Sequence, residues 1–382
     1  MNQSPIIENA EELATACKRW QRQRVLAIDT EFVRTRTFFP QIGLIQINDG
    51  TYTDLVDPVR VPDGKRLGAV LADPGVVKVF YSCSEDVEVL YHYCGVIPES
   101  LYDLQIAAGY IGHSSGGGYQ ALARNLIGVE LPKHETRTNW VRRPLTDAQV
   151  RYAREDVEHL LELYELVDCE LRAKGRETWV AQAVRSSCDV DRFLPDPDMY
   201  YLRVGRTSRM RPLDLAVLQR LCAWREREAR ERDRPRNFVL TQAAILALVS
   251  RRPITAKGVS EAAGLHAREG RRSGPAIAAE IKTALDLPET AWPPPLPRRR
   301  RIVGFDELVQ TLRKIVEHRA EELGIAVELV ARRRAVEELV YQVTGGSESA
   351  EIPEELNGWR REQITDALLD AIEKWNAKPR SS

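Results

Sequence analysis

The sequence predicts an α/β first domain, in which helices pack on a mixed sheet, followed by two small all-α helical bundles. Three observations carry this expectation. Short apolar runs with strand character alternate with amphipathic segments over residues 1–200. Beyond Leu213 the pattern is helical throughout. Two of the later stretches, LQRLCAWREREARERDRPRNFVLTQAAILALV and VQTLRKIVEHRAEELGIAVELVARRRAVEELV, share a long helix, a short break and a second helix with apolar residues at similar offsets. That is the mark of a repeated helical module. The expected domains are 1–200, 211–290 and 302–382.

In chain order, VLAIDTEF, QIGLIQIND and TYTDLVDP read as three consecutive strands with turn residues between them. VVKVFYS reads as a fourth, running into the helix SEDVEVLYHYC, capped by Ser82 or Ser84 and stopped by Gly95. LYDLQIAAGYI reads as an amphipathic helix, and GGGYQALARNLIG as a glycine turn feeding another. Gly116, Gly117 and Gly118 lack a following GK[ST], so they do not make a phosphate-cradling loop. TDAQVRYAREDVEHLLELYELVDCELRAKG reads as one long helix capped by Thr146. The proline- and arginine-rich VDRFLPDPDMYYLRVGRTSRMRP reads as a linker, and LPETAWPPPLPRRRR as a second, extended one.

With 29% charged and 43% hydrophobic residues, the composition is that of a soluble protein. No apolar run is long enough to cross a bilayer, and the start lacks the basic-then-apolar pattern of a signal peptide. Six cysteines without a C-x-x-C pair point to a reduced, cytoplasmic setting and away from zinc. The net charge of −1 hides an asymmetry. Residues 1–190 carry 21 basic and 27 acidic side chains, residues 191–300 carry 22 and 13, and residues 301–382 carry 12 and 16. A basic middle beside an acidic first half fits one part that holds a polyanion and another that works on it, although a solvated helical surface accounts for the charge equally.

Asp29 and Glu31, in LAIDTEFV, stand one residue apart in a segment read as a buried strand, so they share a face. Two like charges in a low-dielectric site are costly unless a cation offsets them. Asp86 lies at the helix start in SCSEDVEVL. Tyr152 and Asp156, in RYAREDVEHL, are at i and i+4 on one helix face. Such an all-oxygen set suits Mg2+ or Mn2+. Two such ions can clamp the attacking and leaving oxygens of an in-line displacement at phosphorus. The tyrosine hydroxyl would orient, or help deprotonate, the attacking water. Singly, each piece has a simpler reading: a chance D-x-E, a helix cap, a pair of surface neighbours. Order, residue type and apolar setting together favour a site.

LAIDTEFVRTRTFFPQIGLIQI, YSCSEDVEVL and GGGYQALARNLIGVELPKHETRTNWVRRPLTDAQVRYAREDVEHLLELY together resemble ribonuclease D, a 3′-to-5′ exonuclease of the superfamily with four acidic residues and a tyrosine in the last motif. WREREARERDRPRNFVL resembles the opening of the helical module shared by RecQ-type helicases and ribonuclease D (HRDC), and the second block resembles a diverged copy. The resemblance covers nearly the whole chain and implies a ribonuclease H-like sheet. It also implies ligands for two divalent metal ions (Mg2+ or Mn2+) at Asp29, Glu31, Asp86 and Asp156, with Tyr152 positioning the water. Thr30, largely through its backbone, and Phe32 would contact the terminal nucleotide. The implied partner is RNA, with tRNA precursors and other structured 3′ ends first, with no membrane and no required protein partner. Tyr81 departs from the histidine or asparagine common in the family, which bears on a secondary contact and not on the metal site.

Lys133, Arg137 and Arg142 are candidate phosphate contacts, or members of a solvated loop. Trp140 reads as a core anchor, and Asp103 as a cap or a support for the site. Two other readings stay open: a DNA exonuclease, and a non-catalytic RNA-binding protein on a nuclease fold. The net charge of −4 on the second helical block leans toward packing.

Overall fold

The computed structural model describes residues 2–113, 118–131, 138–205, 207, 209–296, 302–344 and 351–377. Gly116, Gly117, Lys133, His134, Arg137 and the arginine run 298–301 lie outside the described residues. The chain forms two compact units. Residues 1–32, 42–188 and 299–382 make one, and residues 33–41 with 189–298 make the other.

The first unit is built on a six-stranded mixed sheet of order β1-β4-β3-β2-β5-β6. The strands are β1 (Asn2–Ile7), β2 (Val25–Val33), β3 (Gln41–Asn48), β4 (Tyr52–Val56), β5 (Val77–Phe80) and β6 (Leu101–Asp103). β1 runs parallel to β4, β3 antiparallel to β4, and β5 parallel to both β2 and β6. The four strands expected from sequence are β2 to β5. The two edge strands were not expected. β6 takes the first three residues of a segment read as helix, because Leu101–Asp103 pairs with Lys78–Phe80 before Asp103 caps the helix that follows. Ala27, Ile28, Leu44, Ile45 and Ile47 are fully buried in the middle of the sheet.

Helices α1 (Ala10–Trp20), α2 (Lys65–Leu71), α3 (Ser84–Cys94), α4 (Leu104–Tyr110), α5 (Gly118–Ile127), α6 (Asp147–Glu158), α7 (Leu160–Ala173) and α8 (Glu177–Ser187) accompany the sheet. α3 ends at Gly95, whose φ of 76° is the left-handed stop that glycine adopts without strain. Its N-cap is Cys83, not Ser82 or Ser84, and it has no side-chain cap. The carboxylate of Asp103 instead accepts the N–H groups of Ser82 and Cys83. Thr146 caps α6 in a reciprocal capping box with Gln149. The helix expected to continue from there breaks at His159. The Asn48 amide donates to the Val157 carbonyl at 2.9 Å, supplying a partner that the next helical turn would otherwise provide.

The last helical block belongs to this same unit. It contains α15 (Phe305–Leu323), α16 (Val327–Val330), α17 (Arg333–Thr344) and α18 (Asp366–Ala377), numbered after the helices of the second unit. It docks on α4 and α8. The Trp359 and Trp179 rings stack with centroids 4.0 Å apart. Arg360, nearly buried, donates to the Leu329 and Val330 carbonyls and to the Tyr110 hydroxyl. Arg176 bridges the Tyr110 and Leu323 carbonyls at 2.6 and 2.8 Å. These contacts give the block's helix-end carbonyls their partners inside the interface.

The second unit holds α9 (Val190–Phe193), α10 (Pro212–Glu231), α11 (Arg236–Val239), α12 (Gln242–Arg251), α13 (Ala256–Ala263) and α14 (Ala267–Asp286). The segment 190–203, read from sequence as linker, is ordered. A 3-10 helix at Pro197–Arg203 buries Tyr201 in one core with Leu218, Leu221, Ile245, Leu248, Ile277 and Ile281. Its prolines start turns here instead of extending the chain. Phe38 joins that core from the loop 33–41, where Asp233 accepts the N–H groups of Phe38 and Phe39 and the Arg236 guanidinium lies 4.5 Å from the Phe38 ring.

Candidate active site

Alternation along β2 buries Ile28 and Thr30 and leaves Asp29 and Glu31 half-buried on the other face. α6 brings Asp156 to them. Asp29, Glu31 and Asp156 each offer a carboxylate oxygen, and these oxygens lie within 4.8 Å of one another. Asp86, the third residue of α3, sits beside the trio but is held differently. Its Oδ1 accepts from the Thr30 N–H at 3.1 Å and from the Thr30 hydroxyl at 2.5 Å, with both residues buried. The family resemblance implies a Thr30 backbone contact to the terminal nucleotide; in this structure the Thr30 N–H donates to Asp86. Phe32 is half-buried near the end of β2.

The electrostatics follow from this crowding. Burial, then the charges of Asp86, Asp156 and Glu31, hold the Asp29 carboxyl well above its usual range. Burial and the charges of Asp156 and Asp86 push Glu31 up to about 8. Asp86 rises to about 7, chiefly through burial and against the hydrogen bonds from Thr30. Tyr152, one turn before Asp156, has its phenol pushed up by burial, by Asp156 and Glu31, and by a hydrogen bond with Asp156. Asp29 and Glu31, whose ionisation the neighbouring acids oppose, converge with Asp156 as hard oxygen donors, which fits a divalent cation such as Mg2+ or Mn2+.

Three residues not singled out in the sequence, Arg143, Gly43 and Tyr119, shape the surroundings. The Arg143 guanidinium reaches Asp57 at 2.5 and 2.6 Å, the Gly43 carbonyl at 2.6 Å and the Trp140 carbonyl at 2.7 Å. It thereby fastens the segment before α6 to the sheet. Gly43 allows this approach, since a Cβ there would fall 2.6 Å from the Trp140 carbonyl oxygen. Trp140 is buried, and its ring centroid lies 6.1 Å from that of Tyr152. Tyr119, following the glycine run, feels the charges of Asp156 and Asp29, and its ring lies 5.6 Å from Tyr81. Its place after a glycine turn was the only sequence signal for it. Of the candidate phosphate contacts, only Arg142 is described, and it is exposed.

Comparison with known proteins adds three family matches. Residues 5–171 match the 3′-5′ exonuclease family, residues 214–281 the HRDC domain, and residues 304–368 the C-terminal HRDC domain of ribonuclease D. The chain is 39% identical over 372 residues to a ribonuclease D of Pseudomonas paraeruginosa, covering 96% of this chain and 97% of that one. It is 32% identical to the ribonuclease D of Escherichia coli, with 97% and 98% covered. A crystal structure of Escherichia coli RNase D, an exoribonuclease involved in structured RNA processing, superposes with a TM-score of 0.88 over 98% of this chain and 100% of that one.

Proposed function

The chain belongs to the ribonuclease D family, and from that premise we propose that it is a metal-dependent 3′-to-5′ exoribonuclease releasing 5′-nucleotides from structured RNA, tRNA precursors among them. The observation that supports the reading most is the convergence of Asp29, Glu31 and Asp156 within 4.8 Å, with Asp86 beside them and Tyr152 one turn away.

Asp29, Glu31, Asp86 and Asp156 would hold two divalent ions. When bound, these would polarise the attacking water and offset charge on the phosphate. The side chains do the rest. Tyr152 keeps its proton at neutral pH, because burial and its acidic neighbours oppose the phenolate. Its hydroxyl is placed to orient the attacking water as a hydrogen-bond partner. Thr30 fixes Asp86 through two donors to one oxygen. Phe32 contacts the terminal nucleotide. Water attacks the last phosphorus, the bond from phosphorus to the preceding O3′ breaks, and that oxygen leaves with a proton as the new 3′ end. No helix among the described residues is long and apolar enough to cross a membrane; the cytoplasm is the compartment where such RNA is met.

The test is degradation of a tRNA with an extended 3′ end, of unstructured RNA and of single-stranded DNA, with Mg2+ or Mn2+. Stepwise shortening of RNA with release of 5′-mononucleotides is expected, along with a loss of about 10³-fold or more in Asp29→Asn. Equal trimming by Asp29→Asn would remove the carboxylates from the chemistry. Preference for DNA would change the substrate class.

A further inference from the structure

We propose that the cavity beside Tyr152 is a nucleotide subsite. It would take the residue that precedes the terminal nucleotide, with Arg142 on that residue's own 5′ phosphate. The inference rests on the exoribonuclease reading and extends it to how the strand is gripped.

The cavity has a volume of about 670 Å³, within the range of sites that enclose small ligands. Tyr152 lines it and also interacts with Asp156 of the carboxylate cluster, so the cavity adjoins the site of attack through this one side chain. A strand whose last phosphate lies at Asp29, Glu31 and Asp156 brings its next nucleotide past Tyr152. The walls suit that occupant. Pro144 and Ala148 give exposed apolar surface, which any base can cover with a ring face, the buried Trp140 contributes only its edge, and Thr138 and Asn139 add polar groups to the lining.

The two neighbouring arginines have opposite fates. Arg143 is consumed by Asp57 and by backbone carbonyls. Arg142 also lines the cavity, is exposed, and forms no ion pair among the described residues. An exposed guanidinium in the lining of a cavity matches the fork geometry of a phosphate. The wall is preformed. Gln149 Nε2 donates to the Thr138 hydroxyl at 3.1 Å, the Asn139 side chain accepts the Val141 N–H, and the capping box fixes the first turn of α6. Little ordering is left for the ligand to impose.

Two variants test this against two substrates. Arg142→Gln removes the charge, and Ala148→Trp fills the cavity from the exposed first turn of α6. The substrates are a ten-nucleotide single-stranded RNA and a dinucleoside monophosphate, whose only phosphate is the scissile one. Arg142→Gln is expected to raise KM for the longer RNA about tenfold and to flatten its salt dependence by about 0.7 in log–log slope, with under a threefold change on the short substrate. Ala148→Trp is expected to raise KM for both. Melting temperatures and their Mn2+-induced rise should stay as in the parent for both variants. Arg142→Gln affecting the two substrates alike, or neither, while the parent trims RNA, would overturn the subsite alone. A parent that trims no RNA overturns the exoribonuclease reading and the subsite with it.

Discussion

The two helical modules begin from one pattern and end in different company. The first spans α10 to α14, carries the excess of arginine, and forms a unit with residues 33–41. Its arginines turn inward on their own module: Glu226, with no exposure, is bracketed by Arg230 and Arg236. The second module lies in the unit of the sheet, and its most buried cation, Arg360, reaches Tyr110 of the exonuclease part. The shared apolar spacing specifies the helices in both. What each module packs on is decided by a few aromatic and arginine side chains, Trp359 and Arg360 in one case and Phe38 with Arg236 in the other. A repeated fold therefore does not entail a repeated role.

The contrast can be broken most sharply at Arg360. Arg360→Ala should cost about 3–5 kcal/mol in urea unfolding of the first unit, because it strips two carbonyls and a hydroxyl of their donor and empties a buried site. A cost confined to the last module, with the exonuclease transition unmoved, would show that the module does not brace the sheet.

The units should also differ in their response to pH. Glu31 and Asp86 have folded-state values raised to about 8 and about 7 from ordinary values near 4. The folded chain then holds protons that the unfolded chain has released. The stability these groups contribute is fully present below about pH 4.5 and is lost as pH rises through about 8, by a few kcal/mol. Without divalent ions the first unit should therefore melt lower at pH 8 than at pH 5, and Glu31→Gln should flatten that slope. A slope of the same size in the second unit would detach it from the carboxylate cluster.

Smaller effects sharpen the comparison. Glu226→Gln leaves Arg230 and Arg236 facing a neutral amide and should cost about 1–3 kcal/mol, read in the second unit alone. Thr30→Val removes the hydroxyl donor to Asp86 but keeps the shape. It should cost about 1 kcal/mol and weaken the Mn2+-induced rise in melting temperature, whereas Thr30→Ser should restore that rise. Serine failing where valine fails would point to lost packing and not to a lost hydrogen bond.

What could be read from sequence tracks how local its cause is. β2 to β5 are legible because their apolar residues follow the strand period. β1 opens with the polar NQS, and β6 is three residues long, so neither announces itself. Asp29, Glu31 and Asp156 could be singled out because acids inside apolar segments need a partner, and their meeting is a product of the fold. Arg143 could not, since its partner Asp57 is 86 residues away and nothing near it in sequence differs from its neighbour Arg142. The break at His159 likewise depends on Asn48, and the ordered segment before α10 depends on a core that Tyr201 enters only once the helices exist.

The most direct measurement is Mn2+ binding to the whole chain and to Asp29→Asn, followed by electron paramagnetic resonance at neutral pH. Two ions per chain in the parent and the loss of at least one in the variant is the predicted result. Equal Mn2+ binding by both proteins would contradict the assignment of this carboxylate cluster as the metal centre.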